Sequence, residues 1–253
     1  MARYKKYSRY DSYYKYESVA DKKAKIQRKL DKLNSNNKSV LNPIVIEGRS
    51  ISNSWWGKAW CKNLERYSDY SNRIGRGRSY VKNGFVIDLK LSRGKIESQV
   101  MGSGSKPYKC VIDISIISKS VWKTIKDKIG SKFDSLQVLL AGKFPTELQD
   151  IFSSLDYGFF PKPKEIKMDC SCPDWATMCK HIAATLYAVG VRLDESPELI
   201  FILRGVDMKD LIDETIKSHS NSLIKKAKNV KSARIMKIKE QPLGELFNID
   251  FKS

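Results

Sequence analysis

Residues 170–184 read CSCPDWATMCKHIAA and contain the pattern C-x-C, six residues, C-x-H. Cys170, Cys172, Cys179 and His181 offer three thiolates and one imidazole, a ligand set that Zn²⁺ takes in structural sites. Four such ligands complete a tetrahedron and leave no open position for a substrate. The pattern therefore predicts a structural zinc site, which holds a fold together and does not catalyse.

The spacing of the four residues fits a strand followed by a helix. In an extended backbone residues i and i+2 point to the same side, so Cys170 and Cys172 can face one metal ion. On a helix residues two apart point in different directions, so we expect Cys179 just before the helix and His181 in its first turn. All four side chains can then meet at one metal ion.

Two further signals complete this module. Pro173-Asp174 is typical of a turn after the cysteine pair, and Gly190 is typical of a helix end. Segment 165–190 is therefore predicted to be an embedded ββα zinc-binding module, a hairpin followed by a helix and clamped by metal.

Clustered thiols can also form disulfides or act in redox and thiol catalysis, and these alternatives to zinc binding fit the sequence less well. The chain has five cysteines, and Cys170 and Cys172 are too close for an unstrained bridge, which disfavours a disulfide framework. A Cys179 nucleophile with His181 as its base would need an orienting third group and a pocket, which the sequence does not reveal. Zinc binding is the preferred interpretation, and redox or thiol chemistry is the alternative. Cys61 and Cys110 are predicted to be small core side chains.

The cysteine and histidine stretch resembles a SWIM-type zinc finger, whose pattern is C-x-C, a variable spacer and C-x-H. The resemblance extends over roughly residues 50–210 to bacterial and archaeal stand-alone SWIM proteins, through the short motifs WWGKAW (55–60), GRSY (77–80), GS (102–103), PY (107–108), LLAG (139–142) and LRG (203–205). It implies zinc ligands at Cys170, Cys172, Cys179 and His181. It also implies a module that binds DNA or protein, often linked to Swi/Snf-type helicases. Met178 stands where many members have proline.

Charge is concentrated towards the ends of the 253-residue chain. The net charge is +19, of which residues 1–49 carry +8 and residues 221–240 carry +6. Basic arms of this kind attract polyanions by releasing counterions, and this attraction weakens with salt. Apolar runs are too short to span a bilayer, and the N-terminus lacks the apolar stretch of a signal peptide. We therefore expect a cytoplasmic protein without membrane contact.

The basic arms carry further patterns. Six tyrosines between Tyr4 and Tyr16 alternate with cations, as in surfaces that stack on single-stranded bases, although a solvated tail would have the same composition. Ser18–Leu33 predicts a basic amphipathic helix. Residues 241–251 concentrate leucine, isoleucine and phenylalanine beside acids, which is typical of docking peptides and also of a packed chain end.

The central body combines helices and strands. Trp56, Trp60 and Leu64 lie four apart, which predicts one apolar face of a helix over residues 54–64. A loop broken by three glycines (75, 77 and 84) is predicted to contain Arg73, Arg76, Arg78 and Lys82. From it they could contact the phosphates of a nucleic acid, and a solvated turn is the alternative interpretation.

Partial alternation predicts three strands, at residues 85–91, 95–101 and 108–114. Helices are predicted at residues 118–129, 133–140, 197–203 and 208–217. The fold class is α+β: an antiparallel β-meander with C-terminal helices and the embedded ββα zinc-binding SWIM module. The segments are a basic arm and helix (1–49), an α+β body (50–164), the finger (165–190), a helical extension (191–219) and a basic linker with its tail (220–253).

Catalytic groups are scarce in this sequence. His181 is assigned to zinc, which leaves His219, and no acidic pair forms a recognised catalytic motif. We expect a protein that is not an enzyme and has no small-molecule substrate. Two hypotheses remain: a zinc protein that binds nucleic acid, with DNA favoured over RNA, and an adaptor that docks on a Swi/Snf-type helicase or another DNA-processing partner.

Overall fold

The structure of the protein, a computed structural model, describes residues 18–35, 41–66, 71–102, 106–130, 146–154 and 156–229. Three predicted features lie outside these residues: the tyrosine-rich arm, the helix at 133–140 and the docking peptide at 241–251.

The sheet is antiparallel, and its four strands follow the order of the chain. They are β1 (Val86–Ser92), β2 (Lys95–Val100), β3 (Tyr108–Ile114) and β4 (Ile166–Cys170). The predicted three-stranded meander is therefore confirmed, and the strand that leads into the metal-ligand stretch extends it. The fold is α+β, as predicted.

Strand β4 pairs with a strand of the central body. In its register with β3, Cys110 lies opposite Cys170 and Ile112 lies opposite Met168. The hairpin predicted within residues 165–190 is wrong, because β4 is the one strand that the structure describes there and it pairs with β3 of the central body. The finger and the body consequently share one sheet.

The described part of the chain contains eight α-helices. They are α1 (Val19–Ser35), α2 (Trp55–Glu65), α3 (Ser71–Lys82), α4 (Lys119–Gly130), α5 (Gln149–Ser153), α6 (Lys180–Glu195), α7 (Leu199–Arg204) and α8 (Met208–Asn229). Short 3₁₀ turns precede α5 at Thr146–Leu148 and β4 at Pro163–Glu165. Helix α8 continues well beyond the predicted end at residue 217, through ten residues of the segment predicted to be a linker. None of these helices has the length and apolar composition that crossing a membrane requires.

Helix α6 forms the centre of the core. Every residue from His181 to Val191 is buried, since α6 packs on all four strands and is covered by α2 and α3. The hydroxyls of Ser98 in β2 and Thr185 in α6 lie 2.6 Å apart and join the helix to the sheet. A helix that is apolar all round is stable only when it is enclosed in this way.

The tryptophans of α2 pack into this core, as predicted. The indole nitrogens of Trp60 and Trp56 donate to the carbonyl oxygens of Leu186 and Leu193 at 2.9 and 2.8 Å. Burying a tryptophan without satisfying its N–H would cost free energy, so these bonds fix where α2 lies along α6.

The predicted helix end at Gly190 is wrong, because α6 continues to Glu195. A Cβ atom at Gly190 would lie 2.6 Å from the sulfur of Cys61, and one at Gly57 would lie 2.8 Å from the carbonyl oxygen of Gly190. The two glycines therefore allow α2 and α6 to cross closely, and this packing outweighs the tendency of glycine to end a helix.

The loop predicted around Arg73, Arg76, Arg78 and Lys82 is also wrong, since these residues lie on helix α3. Gly77 faces α6, where a Cβ atom would lie 2.5 Å from Cβ of Ala183. Contact with the core helix thus compensates for the low helix propensity of glycine.

We predict opposite effects for alanine at the two glycines of α3. Gly77→Ala should lower the free energy of unfolding by about 1–3 kcal/mol, because the added methyl group overlaps Ala183. Gly75 is the matched control: a Cβ atom there meets nothing within 4 Å. Gly75→Ala should raise stability by about 0.5–1 kcal/mol through helix propensity. Urea unfolding of both variants checks this, and equal effects would contradict the close contact between α3 and α6.

Candidate metal centre

The four predicted ligands meet at one point of the structure. Their donor atoms, three Sγ atoms and one imidazole nitrogen, all lie within 4.8 Å of one another. Cys170 ends β4, Cys172 lies in the turn that follows, Cys179 is the N-cap of α6 and His181 lies in its first turn. This placement of Cys179 and His181 is the one that the spacing predicts.

The distances suit a tetrahedral metal ion. Nδ1 of His181 lies 3.9 Å from Sγ of Cys170 and 4.0 Å from Sγ of Cys179. Zinc bonds of about 2.3 Å to sulfur and about 2.0 Å to nitrogen would place these atoms roughly 3.6 Å apart in a tetrahedron. The cluster therefore needs only a small contraction to bind such an ion. Bound there, the metal would crosslink β4 to α6.

Hydrogen bonds hold the ligand-bearing turns. The backbone N–H of Ser171 donates to the carbonyl oxygen of Lys109 at 3.0 Å, and the Ser171 hydroxyl accepts from the Lys109 N–H at 3.0 Å. In the second turn Oδ1 of Asp174 accepts from the N–H of Ala176 at 3.3 Å and from the guanidinium of Arg73 at 3.1 Å. The loop between Cys172 and Cys179 is thereby tied to α3.

Aromatic rings enclose the imidazole of His181, which is 1% exposed. Tyr108 stacks on it with ring centroids 4.4 Å apart, and Tyr80 meets it edge-on at 5.5 Å. Nε2 is buried without a hydrogen-bond partner among the described residues, and a Cβ atom at Gly102 would lie 3.2 Å from it. The ring is therefore held by packing with Nδ1 directed at the cysteines.

Crowding of the sulfurs opposes ionisation of the thiols. The hydrogen bond to Cys170, followed by burial, raises the pKa of Cys179 to about 12. The pKa of Cys170 is raised chiefly by its contact with Cys110, and that of Cys172 chiefly by burial. Three adjacent thiolates need a nearby cation, which a divalent metal supplies. The N–H of Ile182 at the start of α6 also points at Sγ of Cys179, 3.5 Å away, and favours its charged form.

A fifth sulfur borders the cluster. Cys110 is 1% exposed, as its predicted core position requires, and its Sγ lies 3.6 Å from Sγ of Cys170. The contact follows from the register of β3 and β4, in which the two cysteines are directly opposite. The contact between Cys110 and Cys170 was not predicted, because the sequence alone does not show that β3 and β4 pair. Once the register of the two strands is known, the contact follows from it.

The residues proposed from sequence to contact phosphates lie on α3, beside the metal centre. Arg73 pairs with Asp174 of the finger loop. Arg78 pairs with Glu65, and its Nε donates to the Tyr187 hydroxyl at 2.8 Å. Arg76 and Lys82 are exposed, and neither has an ion-pair partner among the described residues. The four cations therefore divide into two that hold the fold together and two that face solvent.

A partly buried cluster of three cysteines and one histidine, held between the end of a strand and the start of a helix, is the metal centre of a zinc-finger protein. The kind of finger follows from comparison with known families. Residues 159–190 match the family model of the SWIM zinc finger. The resemblance seen in the sequence is thus confirmed.

One relative extends the similarity beyond the finger. The chain is 36% identical over 164 residues to uncharacterized protein Rv2102 from Mycobacterium tuberculosis, a match that covers 64% of this chain. It spans about three fifths of that protein's length, 59%. No solved structure matches the chain.

We predict that Cys172→Ser abolishes stable metal binding. Elemental analysis should find one zinc per wild-type chain and much less in the variant, with a lower melting temperature, because a lost ligand leaves β4 and α6 without their crosslink. Cys110→Ala is the matched control, since it removes a buried sulfur beside the cluster and should retain the zinc. A full zinc content in Cys172→Ser, or its loss in Cys110→Ala alone, would contradict the ligand assignment.

Glu65 of α2 joins three helices, because it pairs with Arg78 of α3 and accepts a hydrogen bond from the Tyr187 hydroxyl of α6. Burial alone would raise the pKa of Glu65, but hydrogen bonds from Tyr187 and Arg78 outweigh it and hold the pKa below its ordinary value of 4.5. The stabilisation is therefore fully present above pH 4.5 and is lost as the pH falls through the depressed value. Glu65→Gln should cost about 1 kcal/mol at neutral pH.

This difference in stability between wild type and Glu65→Gln should shrink below pH 4.5. Urea unfolding of both proteins at several pH values measures it. A difference that stays constant from pH 7 to the acid range would show that the charge of Glu65 does not contribute.

Proposed function

We propose that this chain is a non-catalytic zinc protein that binds nucleic acid, with DNA favoured, through basic surfaces next to the SWIM finger. The observation that carries the proposal is the position of α3: its exposed cations lie beside the metal centre on a helix that is fixed to the finger. Zinc in the centre has a structural role, since three thiolates and one imidazole leave no coordination position for a substrate.

Helix α3 has the geometry of a rigid basic surface. Arg73 anchors it to Asp174 in the finger loop, while Arg76 and Lys82 remain exposed. Cations fixed in this way can contact phosphates without first becoming ordered, which lowers the entropic cost of binding. The finger thus positions the basic helix.

An exposed aromatic ring in the same loop supports this role. Trp175 follows Asp174 directly, and its side chain is 79% exposed. A tryptophan in contact with water beside fixed cations is typical of surfaces that stack on nucleic-acid bases. The net charge of +19 adds a long-range attraction for polyanions.

A protein-interaction adaptor is the second candidate function, and helix α8 favours it. Ile216, Leu223 and Ile224 are each about half exposed on this helix. Exposed apolar side chains on one long helix are suited to docking on a protein, for which a Swi/Snf-type helicase or another DNA-processing factor is the proposed partner.

We predict that the double variant Arg76→Gln/Lys82→Gln binds DNA about tenfold more weakly than the wild type. The slope of log affinity against log salt concentration should also fall by about 1.8, because each lost phosphate contact contributes about 0.9 on duplex DNA. Lys119→Gln/Lys123→Gln on α4 is the control with the same loss of charge. Fluorescence anisotropy with a labelled duplex over a range of salt concentrations measures both quantities.

Equal effects of the two double variants would refute a specific role for α3. If the wild-type protein shows no salt-dependent DNA or RNA binding, yet retains a partner after nuclease treatment, the adaptor function is preferred.

A further inference from the structure

A second basic surface lies away from the finger, in a cleft between α2 and α5. The cleft has a volume of about 320 Å³, and no carboxylate is among the described residues that line it. Lys58 and Lys62 of α2 line one side with Trp55 and with Arg66, the residue directly after the helix. Gln149 and Ser153 of α5 lie opposite. The lining combines three cations with neutral hydrogen-bonding groups, which is a suitable environment for an anion.

The three cations form a regular row. They lie four residues apart, so successive side chains follow one face of the helix at intervals of about 6 Å. The opposite face of α2 carries Trp60 and Leu64 into the core, which fixes the direction of the row. Its spacing is comparable with that of successive phosphates along a nucleic-acid strand.

None of the three cations is neutralised by the described part of the protein. The ion pairs there involve other residues, among them Arg78 and Glu65 on the adjacent α3 and α2. Like charges at i and i+4 of a helix repel each other and destabilise it. Two such pairs follow in succession, Lys58 with Lys62 within α2 and Lys62 with Arg66 at its C-cap. An anionic ligand would remove this repulsion.

We propose that this cleft binds the phosphodiester backbone of a single nucleic-acid strand. The row from Lys58 to Arg66 would contact consecutive phosphates, and Gln149 and Ser153 would donate hydrogen bonds from the other wall. A single row of cations follows one backbone, which favours a single strand as the ligand. The proposal rests on the proposed function and adds a contact surface separate from α3.

Removal of the row tests the proposal. The variant Lys58→Gln/Lys62→Gln/Arg66→Gln is compared with Lys119→Gln/Lys123→Gln/Lys126→Gln on α4, which loses the same charge. Each is titrated into a fluorescent 20-nucleotide oligo(dT) over a range of salt concentrations. We expect the α2 variant to bind at least tenfold more weakly and its salt slope to fall by about 2, since each single-strand phosphate contact contributes about 0.7. The α4 variant should change affinity less than threefold.

Footprinting of the wild-type protein provides a measurement that does not depend on variants. Oligo(dT) should slow the acetylation of Lys58 and Lys62 at least threefold and leave Lys119 and Lys123 unchanged, as mass spectrometry can determine. If the wild type binds oligo(dT) but the two triple variants behave alike and Lys58 and Lys62 are not protected, the cleft proposal fails by itself. If the wild type binds no nucleic acid, this proposal and the proposed function fail together.

Discussion

Burial of the central turns of helix α6 is the constraint on which the rest of the structure depends. Because His181 to Val191 are all buried, the neighbouring elements must approach α6 closely. Gly77 and Gly190 allow the approach of α3 and α2, and the indole of Trp60 bonds to the α6 backbone. The metal ligands lie at the start of this same helix. An ion bound there would therefore fix the position of the central helix relative to the sheet, and with it the elements that pack on that helix.

The structure explains why so much of the site and only part of the fold can be predicted from sequence. The four ligands fall within twelve residues, so their chemistry and spacing are sufficient to place Cys179 before the helix and His181 within it. Strands β1 to β3 follow one another through short connections and are likewise predicted. The pairing of β4 with β3 depends on contacts more than fifty residues apart in the chain, and no local pattern indicates it.

Glycine is the clearest case in which local reasoning gives a wrong prediction. Gly77 and Gly190 have low helix propensity, so they predict a loop and a helix end, yet both lie inside helices. The deciding interaction is non-local: each glycine faces a neighbouring helix at a distance that leaves no room for a side chain. Propensity differences of about 1 kcal/mol are smaller than the free energy gained when two helices bury their apolar faces, so packing determines the outcome.

The same structure gives the basic residues two different roles. Arg73 and Arg78 have carboxylate partners and join α3 to the finger loop and to α2. Arg76, Lys82 and the row from Lys58 to Arg66 have no such partners among the described residues, and all of them lie on or directly after helices that pack against α6. A paired cation at the surface stabilises the fold modestly, whereas an unpaired one keeps its full attraction for an external anion. The positions of the unpaired cations, on elements that the central helix holds rigid, are therefore more informative about function than the total charge of the chain.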